Sequence, residues 1–236
     1  MNLTRVDEAL AARLVMLRER IAAACARSGR SPDGVAIVAV TKGVDPARVL
    51  AACASGLDDL GENRLQDAAE RMAVVRAAGL SPRWHFIGHL QGNKAARVAA
   101  TFDTVDAVDS LALARRLSEA AERQSRRLPV LLQVNAAADP AKHGWALPDV
   151  EGAAAAMAAL PGLAIEGLMT IVADTRDERQ LRTAFGHMPG LRDRLRHALP
   201  QLGWDRLSMG MSEDFELAVE MGATELRLGR ALFGGL

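Results

Sequence analysis

The chain has 236 residues, half of them apolar, with a mean hydropathy of +0.04 and 25% charged side chains, enough to bury one large core or two small ones. Twenty-nine acids balance twenty-nine bases, no window is dominated by basic residues and only 3% of residues are aromatic, so the electrostatic footprint and stacking platforms of a nucleic-acid binder are missing. The opening MNLTRVDEALAARL carries acids early and lacks a signal-peptide core, and no run approaches the roughly 20 apolar residues of a membrane span, which places the protein in the cytoplasm.

A long helix is expected over roughly 3–28. Short apolar or β-branched runs then alternate with alanine-, leucine- and arginine-rich stretches of helical period. Strands are expected at 35–40, 57–61, 83–88, 103–108, 128–135, 165–170, 206–210 and 225–229. Helices are expected near 45–55, 63–78, 91–99, 110–125, 148–159, 177–198 and 212–221, with a short last turn. Ser110 and Ser212 stand as N-caps, and Gly56, Gly79 and Gly222 fall where helices should stop. Cys25 and Cys53 lie inside alanine-rich helical stretches and read as small reduced fillers rather than a disulfide or zinc pair; no metal site is expected. Eight strands alternating with helices and no compositional break predict a single (β/α)8 TIM barrel over 1–236 with an extra N-terminal helix. An open doubly wound sheet is the alternative, but the first turn, TKGVDP, is not the glycine-rich turn such sheets often carry.

Chemistry in such a barrel gathers at the C-terminal ends of the strands, and the conspicuous polar residues fall there. Lys42 follows strand one, and Glu62 and Asn63 follow strand two. His85, His89, Gln91, Asn93 and Lys94 surround the end of strand three; Asn135, Lys142 and His143 follow strand five; Ser212 follows strand seven. The chain has only three lysines, Lys42, Lys94 and Lys142, and all fall in these loops. A partly desolvated amine at a strand mouth is a nucleophile toward a carbonyl, so Lys42 is a Schiff-base candidate, with a solvated surface lysine as its plain reading. The turns LSMGMS and RLGRALFG each bring a strand into a helix start with glycine, and backbone N–H groups there bind phosphate. An amine on strand one beside a phosphate cup on strands seven and eight supplies the two anchors that pyridoxal 5′-phosphate (PLP) needs. Each residue also has a structural reading: Ser212 as a plain cap, Arg227 in a salt bridge with Glu225 or Glu62, Asn63 as a loop residue, His85 as a satisfied core histidine, Lys94 as a surface charge.

From Val35 to Gly234 the segments AVTKG, GENRLQD, WHFIGHLQGNK, QVN, GLMTI, LSMGMSED and RLGRALFG follow one another, and through them the chain resembles the YggS/PROSC group of pyridoxal-phosphate homeostasis proteins, whose fold is like the N-terminal barrel of alanine racemase. The resemblance implies that Lys42 holds PLP as an internal aldimine, that Ser212 and the amides of Gly229 and Arg230 form the phosphate cup, and that Arg227 partners the pyridine nitrogen. Asn63, after Gly61 and Glu62, is a cofactor-binding candidate by position, where a helix would start beside the cofactor. Arg230 stands where the family often has threonine or serine, so its backbone N–H must carry that position. His89 fills a variable slot of the IGxLQ motif and takes no role from the resemblance. Lys142 stands as a second amine for moving the cofactor on or off Lys42.

An arginine only donates hydrogen bonds, so the pyridine nitrogen facing it stays unprotonated and the ring is a poor electron sink. Racemases of the related fold add a tyrosine from a second domain; this chain contains no tyrosine, and that domain is expected to be absent. The expectation is therefore a monomeric, non-catalytic PLP carrier that serves apo PLP-dependent enzymes. A weak amino-acid racemase or another Schiff-base enzyme is the rival, and a barrel that binds phosphate without covalent chemistry is the third option.

Overall fold

A computed structural model describes residues 3–172 and 177–234. Its strands, in chain order, are β1 (Ala36–Val40), β2 (Asp59–Glu62), β3 (Arg83–Phe86), β4 (Thr104–Val108), β5 (Leu128–Asn135), β6 (Trp145–Ala146), β7 (Leu163–Thr170), β8 (Arg206–Ser208) and β9 (Glu225–Leu228). All pairings are parallel, and the ring β1-β2-β3-β4-β5-β7-β8-β9 closes through β9 onto β1; β6 is a two-residue addition to the end of β5. The helices are α1 (Leu3–Arg27), α2 (Pro46–Ala54), α3 (Leu65–Ala77), α4 (Ala95–Thr101), α5 (Leu111–Glu122), α6 (Val150–Ala158), α7 (Glu178–Ala198), α8 (Phe215–Glu220) and α9 (Arg230–Phe233). The expected (β/α)8 barrel with an extra N-terminal helix is thus the observed fold. Among the described residues, no helix is long and apolar enough to cross a membrane.

Local chemistry explains the element ends. Ser110 accepts from Leu113 N at 3.3 Å and starts α5; Asp45 accepts from Ala47 N at 2.8 Å and, with Pro46 in the first turn, starts α2. Gly56 and Gly79 follow their helices at φ +81° and +75°, a conformation that costs glycine nothing. The buried residues Leu10, Leu14, Leu17, Ile21, Ala24 and Cys25 repeat every three or four positions and form one stripe, which seats α1 against α2, α8 and α9. Each fully buried leucine there contributes roughly 1.5–3 kcal/mol, so Leu14→Asp would detach the helix. Cys25 and Cys53 are both free thiols, as expected of fillers, and burial pushes the Cys53 thiol up to about 11.

Strand alternation divides the barrel wall. Val130 and Leu132 face the helix layer, so Leu131 between them faces inward, where it packs with Ala107 and Met169. Toward the N-terminal ends the interior is charged rather than aliphatic, which departs from the branched apolar layers usual in such barrels. Arg206 contacts Asp106 at 3.2 Å, Glu166 at 3.0 Å and Glu225 at 2.8 Å. The ring of His85 lies between Asp106 at 2.7 Å and Asp59 at 2.9 Å, which confirms it as a satisfied core histidine. Charges this buried persist only when paired, and here each finds partners around the ring. Two residues further along β8 and β9, on the same inward face, come Ser208 and Arg227, so the ionic layer floors whatever stands above it.

Candidate functional site

The C-terminal ends of the strands open into a hollow of about 300 Å³. Lys42, Asn63, Ser212, Arg227, Gly229 and Arg230 all line it, together with Val40, Ile87, Ile171, Met211, Glu213 and Asp214. The six residues singled out from sequence come from four separate strand ends and are brought together by closure of the barrel.

The loop carrying Lys42 is braced on both sides. Thr41 N donates to Gly61 O at 3.0 Å, and Thr41 Oγ1 donates to Glu62 Oε1 at 2.5 Å. Past the lysine, Val44 N returns to Thr41 O at 3.0 Å, and Val44 O accepts from Arg71 Nε at 2.9 Å. Arg71 also approaches Glu62 at 3.3 Å, so one buried ion pair on β2 and α3 fixes both flanks of Lys42. Burial pushes the Glu62 carboxyl up, opposed by the Thr41 hydrogen bond and the Arg71 charge. Lys42 itself is exposed at the rim, so the partial desolvation expected of an amine at a strand mouth is not found.

Arg227 is the floor of the hollow. It is buried, and its two terminal nitrogens donate to Ser208 Oγ and Thr170 O, each at 2.8 Å. Burial pushes the guanidinium below its ordinary range, opposed by the carboxylates of Glu225, Asp106 and Asp214. The salt-bridge reading with Glu225 or Glu62 is set aside, because Glu225 pairs with Arg206 and Glu62 with Arg71. Five N–H donors on a guanidinium leave some over for a ligand after these two bonds.

Ser212 departs from its expected capping role. Helix α8 starts later, after Asp214, and Ser212 Oγ instead accepts from Ala231 N at 3.0 Å at the start of α9. The N-cap position of α9 is Gly229, and the exposed Arg230 side chain reaches Glu213 at 3.5 Å, both residues lining the hollow. Asp214 Oδ1 accepts from Met211 N at 2.5 Å; burial pushes its carboxyl up, opposed by that hydrogen bond and by Arg227. Asn63 approaches from the opposite wall. A Cβ on Gly88 would lie 2.5 Å from Asn63 O, so only glycine lets the two loops meet.

Lys94 lines a neighbouring hollow of about 330 Å³ that shares Asn63 and also includes Arg64 and His89. Lys142 lies in the β5–β6 loop, outside the lining of the Lys42 hollow. Thr41, Arg71, Met211 and Asp214 were not singled out from sequence. The brace is visible only once the strands pair, because the register that sets Val40 beside Gly61 places Thr41 beside Glu62.

The sequence profile described as "Alanine racemase, N-terminal domain" matches residues 13–236. A pyridoxal phosphate homeostasis protein from Pseudomonas aeruginosa is 41% identical over 227 residues, 95% of each chain. This chain belongs to the pyridoxal phosphate homeostasis protein family. The Escherichia coli member is 36% identical over 233 residues, covering 95% of this chain and 96% of that one. Among solved structures, PipY of Synechococcus elongatus with PLP bound superimposes with a TM-score of 0.84 at 34% identity, covering 95% of this chain and 100% of the other. The family that the motifs pointed to is therefore the family found.

Proposed function

We propose that this protein binds PLP through the Lys42 amine and holds it for release to apo PLP-dependent enzymes, as a carrier in PLP homeostasis. One observation carries the proposal: a single hollow gathers an amine, a buried guanidinium, a serine hydroxyl and a helix start, the set that a phosphorylated pyridine aldehyde requires. Its volume of about 300 Å³ lies at the lower end for small-molecule sites, and its dimensions suit one compact cofactor. When bound, PLP supplies an aldehyde, which primary amines capture reversibly with loss of water.

The chain's own residues divide the work. Lys42 offers the amine on a loop held by Thr41, Glu62 and Arg71. Ser212 and the backbone at Gly229 and Arg230 receive the phosphate, with helix polarity favouring the anion. Arg227, in the floor of the hollow, would donate to the ring nitrogen and, having no acceptor, would keep that nitrogen unprotonated. Asn63 closes the opposite side.

Carriage is favoured over racemisation by what stands around the amine. A two-base racemase needs a second base opposite the lysine. Of the two carboxylates in the lining, Asp214 holds Met211 N and Glu213 pairs with Arg230. The chain has no tyrosine to fill that role. The exposed amine also leaves room for an incoming amine to displace it, which release requires.

Absorbance and borohydride trapping test the assignment. Wild type with PLP is expected to turn yellow and, after reduction, to carry one cofactor adduct on Lys42, while Lys42→Ala stays colourless. Unchanged colour in that variant overturns the assignment. Incubating the loaded protein with L- and D-amino acids and following α-proton exchange separates carrier from enzyme, since turnover within seconds defeats the carrier reading.

A further inference from the structure

Outside the Lys42 hollow, three potential metal-binding side chains that are distant in sequence meet on the same face of the barrel. His89 lies in the loop after β3, Asp109 directly follows β4, and His143 lies just before β6. His89 Nδ1 is 3.1 Å from Asp109 Oδ2, and His143 Nδ1 is 3.9 Å from the same oxygen. The two imidazoles stack with centroids 3.7 Å apart and planes inclined by 11°. One ligand atom from each residue lies within 4.8 Å of the others. We propose that His89, Asp109 and His143 form a binding site for a divalent transition-metal ion of the zinc, nickel or copper type.

The donor set selects the ion. Two imidazole nitrogens and one carboxylate oxygen suit borderline ions, whereas calcium and magnesium prefer oxygen ligands throughout. Bonds of roughly 2.0–2.2 Å to nitrogen and oxygen put tetrahedral ligand atoms about 3.3–3.5 Å apart. The two measured distances to the Asp109 oxygen bracket that spacing, but stacked rings aim their lone pairs in nearly parallel planes, so the exposed His143 side chain must swing off the stack for both nitrogens to meet one ion. Both histidines are exposed while the carboxylate is mostly shielded, at 46%, 59% and 11% for His89, His143 and Asp109, so water can complete the coordination. No hydrogen bond or ion pair to Asp109 other than those with these two rings is found among the described residues.

The backbone around the site is already fixed, which lowers the ordering cost of binding. Gln133 Nε2 donates to His143 O at 3.0 Å, and Trp145 Nε1 donates across to Val108 O at 3.2 Å, beside Asp109. Gly144, at φ +125°, packs so closely on β5 that a Cβ there would lie 2.7 Å from Asn135 N. On the other side, the Gly88–Asn63 contact pins the loop that presents His89. Only side chains need to move.

Isothermal titration of the chelator-stripped full chain with Zn²⁺ tests the site, with Cu²⁺ electron paramagnetic resonance as a second readout. One equivalent of Zn²⁺ is expected, and two imidazole nitrogens in the Cu²⁺ spectrum. His143→Ala and His89→Ala should each weaken binding by more than the roughly 10-fold lower bound known for outer-shell losses. His143→Ala changes an exposed side chain, so it keeps the test valid if an Asp109 variant misfolds. Lys42→Ala should take up the metal like wild type, which separates this site from the cofactor hollow. Absence of uptake, or stoichiometric uptake that persists in the His89→Ala/His143→Ala double variant, overturns the proposal.

Discussion

Ser212 Oγ accepts the backbone N–H of Ala231 at 3.0 Å, so a hydroxyl in the loop after β8 caps the helix that follows β9. The bond ties together two adjacent strand ends that both border the Lys42 hollow. It uses one lone pair of the hydroxyl and leaves its O–H free to donate to an anion.

Ser212→Ala should therefore lose two things at once. Removal of a serine cap costs about 1 kcal/mol of stability, visible as a lower Tm. Loss of a hydrogen bond to a charged phosphate should weaken PLP binding roughly 10- to 100-fold, read by absorbance titration. A variant with reduced Tm but wild-type PLP affinity would confine Ser212 to capping.

The Glu62–Arg71 brace gives a different signature, because neither side chain lines the hollow. Glu62→Gln keeps the side-chain volume and an acceptor for Thr41 but removes the charge facing Arg71. The Lys42 loop should loosen without unfolding, and misplacement of a reacting group on the ångström scale costs up to about 100-fold in rate. Borohydride-trapped adduct on Lys42 should accumulate at least about tenfold more slowly, with a folded circular dichroism spectrum. Adduct formation at the wild-type rate would show that the loop holds its shape without the ion pair.

Gly88→Ala tests the contact between the two walls. The new Cβ would meet backbone atoms of Asn63 at 2.5 to 3.0 Å, and backbone cannot swing aside as a flexible side chain can. Overpacking of this kind costs roughly 1–3 kcal/mol, or about 2–12 °C in Tm for a chain of this size, with PLP affinity reduced as Asn63 shifts. Gly34→Ala is the control, since nothing lies within 4 Å of a Cβ there, and it should stay within about 0.5 kcal/mol of wild type. Equal melting of the two variants would remove the close approach as a constraint.

Most of the barrel was legible because each strand announces itself as a short apolar run between helical stretches, and the ends erred by only a few residues. β2 runs over Asp59–Glu62 instead of 57–61, and α8 begins at Phe215 instead of near Ser212. The second shift has a local cause: Asp214 binds Met211 N and holds Ser212 to Asp214 in a turn, freeing the Ser212 hydroxyl for Ala231. Lys42, Ser212, Arg227 and the Gly229 turn were visible as unusual residues at strand ends. What periodicity could not reveal was pairing across the barrel. Arg206, Asp106, His85 and Glu225 come from four different strands, and only closure of the ring makes them one ionic layer. His89, Asp109 and His143 likewise share no spacing signature, because their meeting depends on three separate loops.

That ionic layer makes stability depend on pH through His85. Burial alone would push the ring down, but the Asp106 charge and hydrogen bonds to Asp106 and Asp59 outweigh it and push it up to about 9. For Asp106 burial acts upward, yet His85 and Arg206 hold it well below the usual carboxylate range. A raised histidine stabilises the fold fully below its unfolded value of about 6.5 and loses that contribution as pH climbs through its folded value. Depressed Asp106 works the other way: its contribution is present above about 3.9 and fades on acidification. The His85 contribution, read as the urea-derived stability of wild type minus that of His85→Gln so that the raised Glu62 and Asp214 carboxyls cancel, should be flat between about pH 4.5 and 6.5 and fall between 6.5 and 9, by an amount on the order of a few kcal/mol. His85→Gln should be less stable at pH 6 yet nearly insensitive to pH across the alkaline window, because Asp106 keeps Arg206 and the titrating ring is gone. Parallel curves for variant and wild type from pH 6.5 to 9 would mean that His85 is neutral in the folded protein and that Arg206 alone balances the buried acids.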